Sequence, residues 1–312
     1  SGRQMSGGDS PNAPRILVIR GGAIGDFVLT LPAIVALRNR FPNVDLEILG
    51  YPRIATLALE SGLVKAVHAL ESPGLAAFFT PNGAYDLEWR EFFSKYEMAV
   101  SYLYDPDGIF EENVKSCGVL QFIACQHRPD ETKAIHASEV FLKPLEQLTI
   151  FDGDPVARLA IEPEESADPQ LALHPGSGSD SKNWPEEKWR ELIEYLIGNT
   201  SHRLLLVGGE AEGGKLQRLA KGMPEDRLEL AEHVPLNRLA KRLANCRGYV
   251  GHDSGVTHIA SALGLPTLVL WGPSRGTIWR PLGEKVLVLN RENLLSELSV
   301  ENVIDGLNSL GV

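Results

Sequence analysis

The sequence predicts an α/β protein built of two Rossmann-like domains that face a central cleft. Short apolar runs rich in Val, Ile and Leu alternate with amphipathic stretches along most of the chain, which is typical of strand–helix–strand units and largely parallel sheets. A Pro- and acid-rich segment at 151–170 interrupts this alternation, which then starts again. We therefore predict an N-terminal domain at 15–160 and a C-terminal domain at 161–312, preceded by a disordered tail at 1–14. The C-terminal helix is a candidate to pack back on the N-terminal domain.

The N-terminal domain begins with a strand at 15–20, which its length and β-branched residues favour. A helix with a mainly apolar face follows at 26–40, after a glycine-rich interruption. Residues 71–95 and 104–117 show no clear pattern. The other elements predicted in this domain are strands at 44–50, 64–70, 96–104 and 118–125 and helices at 54–61 and 136–148.

The C-terminal domain opens with a strand at 171–176 and a helix at 186–197, with Pro185 at the first turn of that helix. Gly264 ends a second helix at 255–263. The other elements predicted here are strands at 203–209, 248–253, 266–272 and 286–290 and helices at 210–221, 236–246 and 300–310.

Composition excludes several classes of protein. The chain of 312 residues carries 30 basic and 41 acidic side chains, a formal charge of −11, which argues against nucleic-acid binding. Its three cysteines include no CxxC pair, so neither a disulfide framework nor a thiolate zinc site is expected. The D-x-D matches at 105–107 and 152–154 lie in turns, and we predict no metal site. Without an apolar stretch of about 18 residues or a signal-peptide core, we expect a cytoplasmic protein.

The first candidate functional segment, RGGAIGDFVLTLPA at 20–33, follows the first predicted strand. Its glycines lack the G-x-G-x-x-G spacing, so the dinucleotide fingerprint is absent. Asp26 stands at the start of the helix, where backbone N–H groups and the helix dipole stabilise a carboxylate. Local sequence alone favours that structural role for Asp26. The alternative is a general base that a substrate hydroxyl reaches across glycine backbone.

The second segment, HPGSGSDSKNWPEEKW at 174–189, lies between a strand and a helix. A Gly/Ser loop before a helix offers N–H and hydroxyl donors to an anion. Lys182 adds a positive charge. The combination predicts that Ser177, Gly178, Ser179 and Lys182 bind phosphate.

The third segment is VGHDSGVTHIASALGLPTLVLWGPS, which ends at residue 274. Asp253, Ser254 and Gly255 stand where a strand ends and a helix opens, and the N–H groups there favour a diphosphate. By itself, Asp253 is more readily a helix cap. A lone helical histidine such as His258 is more often packed than catalytic.

A further strand–loop–helix junction is LLLVGGEAEGG at 204–214. Glu212 is a candidate to hydrogen-bond a ribose. An exposed first-turn glutamate without a ligand is an equal alternative.

Together these segments resemble the ADP-heptose:lipopolysaccharide heptosyltransferase family, which is glycosyltransferase family 9. The resemblance covers most of the chain from residue 15 onward, in the family's order and approximate spacing. It lies in GGAIGDFVLTLPA (21–33), HPGSGSDSKNWPEEKW (174–189), GGEAE (208–212) and HDSGVTHIASALGLPTLVLWGPS (252–274).

The resemblance implies a GT-B fold, with the acceptor on the N-terminal domain and the nucleotide sugar on the C-terminal domain. It also implies an inverting transfer that needs no metal and no cofactor. By position in the family's motifs, Asp26 is the general base and Lys182 holds phosphate. Asp253, Ser254 and Gly255 surround the diphosphate, and His258 matches the family histidine.

The chain departs from the family pattern at several positions. His252 stands where Asn is frequent, Val256–Thr257 replace Pro-Met, and Arg275–Gly276 follow GPS. The stretch 71–135, where acceptor specificity would lie, has no clear match.

We therefore predict transfer of heptose or a related sugar from an ADP-sugar to a lipopolysaccharide-core or other surface-glycan acceptor. We expect a monomer with peripheral contact with the inner membrane surface. The alternatives are another donor such as a UDP- or GDP-sugar, a nicotinamide oxidoreductase, and a non-catalytic protein that binds sugar nucleotides.

Candidate acceptor-binding residues are Arg20, Gly22, Arg53 and Arg128. A charge of −11 opposes docking of an anionic acceptor, so such an acceptor requires a local basic patch on the N-terminal half. Without that patch, the acceptor is not heavily phosphorylated.

Overall fold

The computed structural model describes residues 13–83, 85–164, 168–209, 214–290 and 294–312. These residues form two parallel β-sheets with helices on both faces, as the alternating sequence pattern predicts. Parallel strands covered on both sides are expected to be apolar throughout, and the central strands of both sheets are almost wholly buried.

The first sheet has the order β3-β2-β1-β4-β5, with every neighbouring pair parallel. Its strands are β1 (Arg15–Arg20), β2 (Asp45–Gly50), β3 (Ala66–Ala69), β4 (Met98–Ser101) and β5 (Gln121–Ala124). Its helices are α1 (Ile24–Arg40), α2 (Pro52–Glu60), α3 (Leu87–Phe93), α4 (Ile109–Ser116) and α5 (Ala137–Leu142), with 3-10 turns at Pro73–Phe79 and Lys143–Leu148.

The second sheet has the order β11-β10-β9-β6-β7-β8, again parallel throughout. Its strands are β6 (Leu171–His174), β7 (Leu204–Gly208), β8 (Leu228–Glu232), β9 (Gly248–His252), β10 (Thr267–Trp271) and β11 (Val286–Asn290). Its helices are α6 (Glu186–Asn199), α7 (Lys215–Ala220), α8 (Leu236–Ala244), α9 (Gly255–Ala262), α10 (Gly276–Trp279) and α11 (Val300–Ser309), with 3-10 turns at Asp180–Lys182 and Leu295–Glu297.

Each sheet reverses its strand order once, between β1 and β4 in the first and between β6 and β9 in the second. Ligands of open α/β sheets bind at the carboxyl ends of the strands beside such a reversal. The loops that follow β1, β6 and β9 carry the three motif segments. The topology therefore brings the segments that the sequence singles out to the same edges of the two sheets.

The two halves share one apolar core. Helix α1 packs on α9 and α2 packs on α8, and one cluster of buried side chains draws from both halves. In the connecting segment, Leu159 and Ile161 are buried in this cluster, and the Leu159 N–H donates to the Ala262 carbonyl at 2.8 Å. The predicted division at residue 160 thus falls in a packed segment, and it stays a prediction.

The C-terminal helix α11 belongs to the core of the second sheet. Val303 and Leu307 of α11 lie in the second core cluster with Leu268 of β10, and α11 also packs on α6. A Cβ on Gly306 would lie 2.9 Å from the Leu268 side chain. The helix therefore packs on the C-terminal sheet, and its expected contact with the N-terminal domain stays a prediction.

The three cysteines, Cys117, Cys125 and Cys246, are buried and not bonded to one another. Burial raises the pKa of Cys125 and of Cys246 to about 12, so both thiols are protonated at neutral pH. Among the residues that the structure describes, no helix is long and apolar enough to cross a membrane.

A buried carboxylate in β2 makes stability depend on pH. The Glu47 side chain accepts hydrogen bonds from Tyr96 Oη and His68 Nε2, both at 2.6 Å. Burial by itself would raise the pKa of Glu47, but these hydrogen bonds outweigh burial, and the pKa lies below its usual value of 4.5. A lowered carboxyl pKa stabilises the fold above the unfolded value, and this stabilisation is lost as the pH falls through the folded value.

We therefore expect the free energy of unfolding to fall as the pH drops below about 4.5, and Glu47→Gln to flatten this part of the profile. Urea titrations between pH 3 and 7 measure the free energy of unfolding of the wild type and of Glu47→Gln. The control Glu91→Gln changes an exposed carboxylate and should keep the wild-type slope. A Glu47→Gln profile parallel to wild type would contradict the assignment.

Candidate active site between the two domains

A cleft of about 660 Å³ lies where the carboxyl edges of the two sheets meet. The first domain contributes Asp26 and Arg128 to its walls, and the second contributes Lys182, Asp253 and His258. All five are residues that the sequence singles out. The structure therefore brings together side chains that lie as far as 232 positions apart in the chain.

The first turns of helices α1 and α9 meet at this cleft. A Cβ on Gly255, the first residue of α9, would lie 2.5 Å from Ile24 Cβ at the start of α1. A Cβ on Gly25 would lie 3.2 Å from the His258 ring. Only glycine allows this approach, and it places the first turns of both helices at one point. The unpaired N–H groups and positive dipole ends of these turns favour a bound anion.

Asp26 has the capping role that the sequence favours, and its position leaves the second role open. Its Oδ2 accepts a hydrogen bond from the Ala23 N–H at 3.0 Å, which caps α1. Gly22 has a positive φ of 93°, and a Cβ there would lie 2.9 Å from Asp26 Oδ2. The cap therefore holds a half-buried carboxylate against glycine backbone on the wall of the cleft. That position also suits a proton acceptor.

Arg20 differs from the expectation that it faces an acceptor. It is only 3% exposed, and its guanidinium lies 4.6 Å from the centre of the Phe141 ring. It donates to the backbone carbonyls of His127 at 2.9 Å, Asp26 at 3.2 Å and Tyr102 at 3.4 Å. Arg20 therefore links three segments of the first domain, those after β1, β4 and β5, because its guanidinium donates to one backbone carbonyl in each.

In the Ser/Gly loop after β6, one residue bonds within the loop and two residues line the cleft. Ser177 is buried, and its hydroxyl donates to the Ser179 carbonyl at 2.7 Å. Gly178 and Ser179 are exposed and line the cleft. The Ser177 hydroxyl thus bonds within the loop, and its phosphate contact stays a prediction, whereas the other two residues line the cleft.

Lys182 and Asp253 form an ion pair across the cleft floor. Lys182 Nζ lies 2.6 Å from Asp253 Oδ2, and Ser274 Oγ donates to the same oxygen at 2.6 Å. The Asp253 side chain is 13% exposed and that of Lys182 is 34% exposed. An ammonium has three donors, so Lys182 is able to contact an anion while it stays near Asp253.

His252, the departure from the family's Asn, holds the Ser/Gly loop in place. Its Nε2 accepts from the Trp184 N–H at 2.8 Å, and its Nδ1 donates to the Gly176 carbonyl at 3.2 Å. Burial lowers the pKa of His252 to about 3, so the ring is neutral. Sequence reasoning missed this role, and the only signal was a histidine at the end of an apolar strand.

His258 and Ser254 complete the start of α9. Ser254 Oγ caps the helix by accepting from the Thr257 N–H at 3.4 Å. Burial lowers the pKa of His258 to about 4 in spite of the nearby Asp253 carboxylate. At neutral pH His258 is therefore an uncharged imidazole packed against Gly25, and the positive charges that the second domain brings to the cleft are those of Lys182 and Arg275.

Arg128 lies at the mouth of the cleft, where its guanidinium pairs with Glu131 at 2.6 Å and lies 5.4 Å from the centre of the Trp279 ring. Glu131 and Trp279 also line the cleft and were not predicted.

Two further predicted residues lie elsewhere in the chain. Arg53 lies at the exposed start of α2. Glu212 lies outside the described residues, so its predicted ribose contact stays a prediction.

Within the described part of the chain, no group of three or more His, Cys, Asp or Glu side chains is arranged to hold a metal ion.

The comparisons with known proteins agree with this architecture. Lipopolysaccharide heptosyltransferase 1 of Salmonella typhimurium is 32% identical over 153 residues, which are 48% of this chain and 46% of that protein. Lipopolysaccharide heptosyltransferase 1 of Escherichia coli K12 is 25% identical over 95% of this chain and 100% of its own. The solved structure of E. coli heptosyltransferase WaaC with ADP superposes with a TM-score of 0.75 at 20% identity, covering 95% and 99% of the two chains.

This structural likeness shows that the two parallel-sheet domains form a GT-B fold. Residues 143–306, more than half of the chain, match the family model described as glycosyltransferase family 9 (heptosyltransferase). The chain therefore belongs to glycosyltransferase family 9.

Proposed function

We propose that this glycosyltransferase transfers heptose from ADP-heptose to a hydroxyl group of a lipopolysaccharide-core or related surface glycan, with inversion and without a metal ion. The observation that carries the proposal is the cleft itself. A capped carboxylate, Asp26, lines the same cleft as Lys182 and the start of α9, a cation and N–H groups that suit an anion. A sugar transfer needs both a proton acceptor and a site for a diphosphate leaving group.

The proposed reaction is a single displacement. Asp26 takes the proton of the acceptor hydroxyl as its oxygen bonds to the anomeric carbon. The bond from that carbon to the diphosphate oxygen breaks on the opposite face, and ADP leaves with the electron pair. Lys182 and the N–H groups at Ser254–Gly255 stabilise the charge that develops on the diphosphate.

His258 supports this division of labour. Because it is neutral, with a pKa lowered by burial to about 4, it places no positive charge near the Asp26 carboxylate at neutral pH, and such a charge would make Asp26 a weaker base. The packing of α1 on α9 brings Asp26 and the start of α9 to one cleft, which supports acceptor and donor sites on its opposite sides.

The donor assignment rests on the relatives, which are named lipopolysaccharide heptosyltransferases, and on the similar solved structure that contains ADP. The same reasoning supports an acceptor carried on a membrane glycolipid, which the protein would meet as a monomer at the membrane surface. Sedimentation of the protein alone tests whether it is a monomer. Sedimentation with vesicles that contain the glycolipid tests whether it binds the membrane surface.

A panel of sugar nucleotides tests the function. We expect ADP-heptose to give a higher kcat/KM than UDP- or GDP-sugars, with a product whose anomeric configuration is inverted in its NMR spectrum. EDTA should not change the rate. A preference for another base would overturn the donor assignment. Ligand binding without product from any acceptor would favour a binding protein, and a melting shift with NAD would favour an oxidoreductase.

A further inference from the structure

We propose that Arg128 and Arg275 form one anion site shared by the two domains, that Glu131 occupies this site in the structure, and that an acidic group of the acceptor takes its place. The inference rests on the proposed transfer and adds a specificity-determining residue, Arg275, from the second domain. It follows from the contacts of Glu131, from the balance of charges in the cleft, and from the exposure of one ion pair.

Three donors from two domains converge on Glu131. Arg128 Nη2 lies 2.6 Å from Glu131 Oε1, and Trp279 Nε1 donates to the same oxygen at 3.3 Å. Arg275 Nη1 donates to the backbone carbonyl of Glu131. Arg128 follows β5 of the first domain, whereas Arg275 and Trp279 follow β10 of the second. All four residues line the cleft that Asp26 lines, so the shared anion site opens into the same space as the proposed base.

The charges that line the cleft leave Arg275 without a carboxylate. The acids are Asp26, Glu131 and Asp253, the bases are Arg128, Lys182 and Arg275, and His258 is neutral. Lys182 pairs with Asp253, and Arg128 pairs with Glu131. As far as the structure describes the chain, Arg275 forms no ion pair, and its partner is a backbone carbonyl. Two guanidinium groups therefore share one carboxylate, and the site has an excess of one positive charge.

Glu131 is an occupant that a ligand can replace. The hydrogen bond from Arg128 holds the pKa of Glu131 below its usual value of 4.5, so its side chain has the charge of an acidic ligand at neutral pH. The side chains of Arg128 and Glu131 are 61% and 40% exposed. Water screens an ion pair that is so exposed, and such pairs contribute little to stability. The exchange of Glu131 for another anion therefore costs little.

Only the side chain of Glu131 has to move in this exchange. Asp130 Oδ1 accepts hydrogen bonds from the Thr132 N–H at 3.0 Å and from Thr132 Oγ1 at 2.7 Å, and the Lys133 N–H donates to the Asp130 carbonyl at 3.0 Å. This turn and the bond from Arg275 hold the backbone of Glu131. A rotation of the side chain alone therefore frees Arg128 and the Trp279 N–H for a ligand.

A carboxylate or a phosphate monoester suits the shared anion site. Guanidinium groups bind the oxygens of both in pairs. An arginine has five N–H donors, so Arg275 can keep the Glu131 carbonyl and still contact a ligand. Because the excess charge is one, the site holds one acidic group of the acceptor. Arg275 stands where the chain departs from the family pattern, so the resemblance alone does not predict this site.

Two pairs of ligands test the inference: p-nitrophenyl β-glucuronide with p-nitrophenyl β-glucoside, and glucose 6-phosphate with glucose. With ADP in excess to fill the diphosphate site, we expect calorimetry to show the acidic member of at least one pair binding about tenfold more tightly. Arg275→Gln should remove most of this difference, and so should Arg128→Gln on the other domain.

Glu131→Gln should strengthen binding of the acidic ligand about threefold, because it removes the competing charge and keeps the shape of the side chain. Lys133→Gln removes an exposed cation of the same loop outside the cleft lining. It is the matched control and should bind both members of each pair as the wild type does.

The inference fails if neither acidic ligand is preferred, if Arg275→Gln binds it as tightly as the wild type, or if Glu131→Gln weakens its binding. The last result would make Glu131 a part of the ligand's site and not its occupant. ADP affinity and ADP-heptose consumption, measured on the same samples, separate these failures from that of the proposed function. If both persist without a preference for the acid, only the anion site is wrong. If ADP does not bind or ADP-heptose is not used, the proposed function is wrong as well.

Discussion

Asp26→Asn is expected to lower kcat by about 10²–10⁴-fold, the usual cost of losing a general base, while ADP affinity stays near that of the wild type. The asparagine amide has the shape of the carboxylate and retains an oxygen that accepts from the Ala23 N–H. The cap of α1 is therefore preserved, and only the ability to take a proton is lost. Steady-state kinetics with ADP-heptose and calorimetry with ADP measure the two quantities.

Two further variants separate catalysis from folding. Asp26→Ala removes both the cap and the base, and we expect it to lower the melting temperature as well as kcat, because a lost cap costs about 1 kcal/mol. Asp107→Asn, at an exposed aspartate outside the cleft lining, should leave both unchanged. Wild-type turnover in Asp26→Asn would remove Asp26 from the mechanism and leave it as a capping residue alone.

Lys182→Ala is expected to weaken ADP binding about 10- to 100-fold, the range of a lost charge-assisted hydrogen bond. Two effects act in the same direction. The substitution removes the cation that faces the diphosphate, and it leaves the Asp253 carboxylate, which is only 13% exposed, without its ammonium partner. An unpaired carboxylate beside a diphosphate adds repulsion.

A double-mutant cycle with Asp253→Asn distinguishes these effects. If the repulsion is real, the double variant binds ADP more tightly than Lys182→Ala alone. The affinity for ADP should fall with salt in the wild type and less steeply in Lys182→Ala. Lys221→Ala, which changes an exposed lysine of the same domain, is the control. Calorimetry that finds equal ADP affinity in Lys182→Ala and wild type would exclude a phosphate contact.

The sequence predicts the central strands well because burial on both faces leaves a continuous apolar run. Strand β1 is predicted with its observed bounds, and β2, β9 and β10 differ from their predicted ranges by one residue at one or both ends. Strand β8 was missed, since its LELAE sequence lies at the edge of the sheet and is only partly buried. The helix predicted at 136–148 ends at Leu142, because Pro144 follows at once and the chain continues as a 3-10 turn.

The site shows where local pattern is not enough. Glycine-rich loops after strands identify the segments that meet, because the carboxyl ends of parallel strands always share an edge. They do not tell which polar group faces the ligand. Arg20 was expected to bind an acceptor, yet it is buried, and it donates to three carbonyls from segments as far as 107 residues away, which no local pattern reports. Ser177 was expected to contact phosphate; its hydroxyl donates to the Ser179 carbonyl within its own loop, a local contact that the sequence pattern does not report.

The close approach of Gly25 and Gly255 also limits how members of the family can be recombined. A chimera that takes one domain from this chain and the other from a relative inherits half of that contact from each parent. Any side chain at either position pushes the two first turns apart, since a Cβ at Gly255 has only 2.5 Å to the Ile24 side chain. Exchange of whole domains is therefore tolerated only between parents that both keep these glycines. This contact between the two domains is therefore one constraint on which pairs of domains fit together.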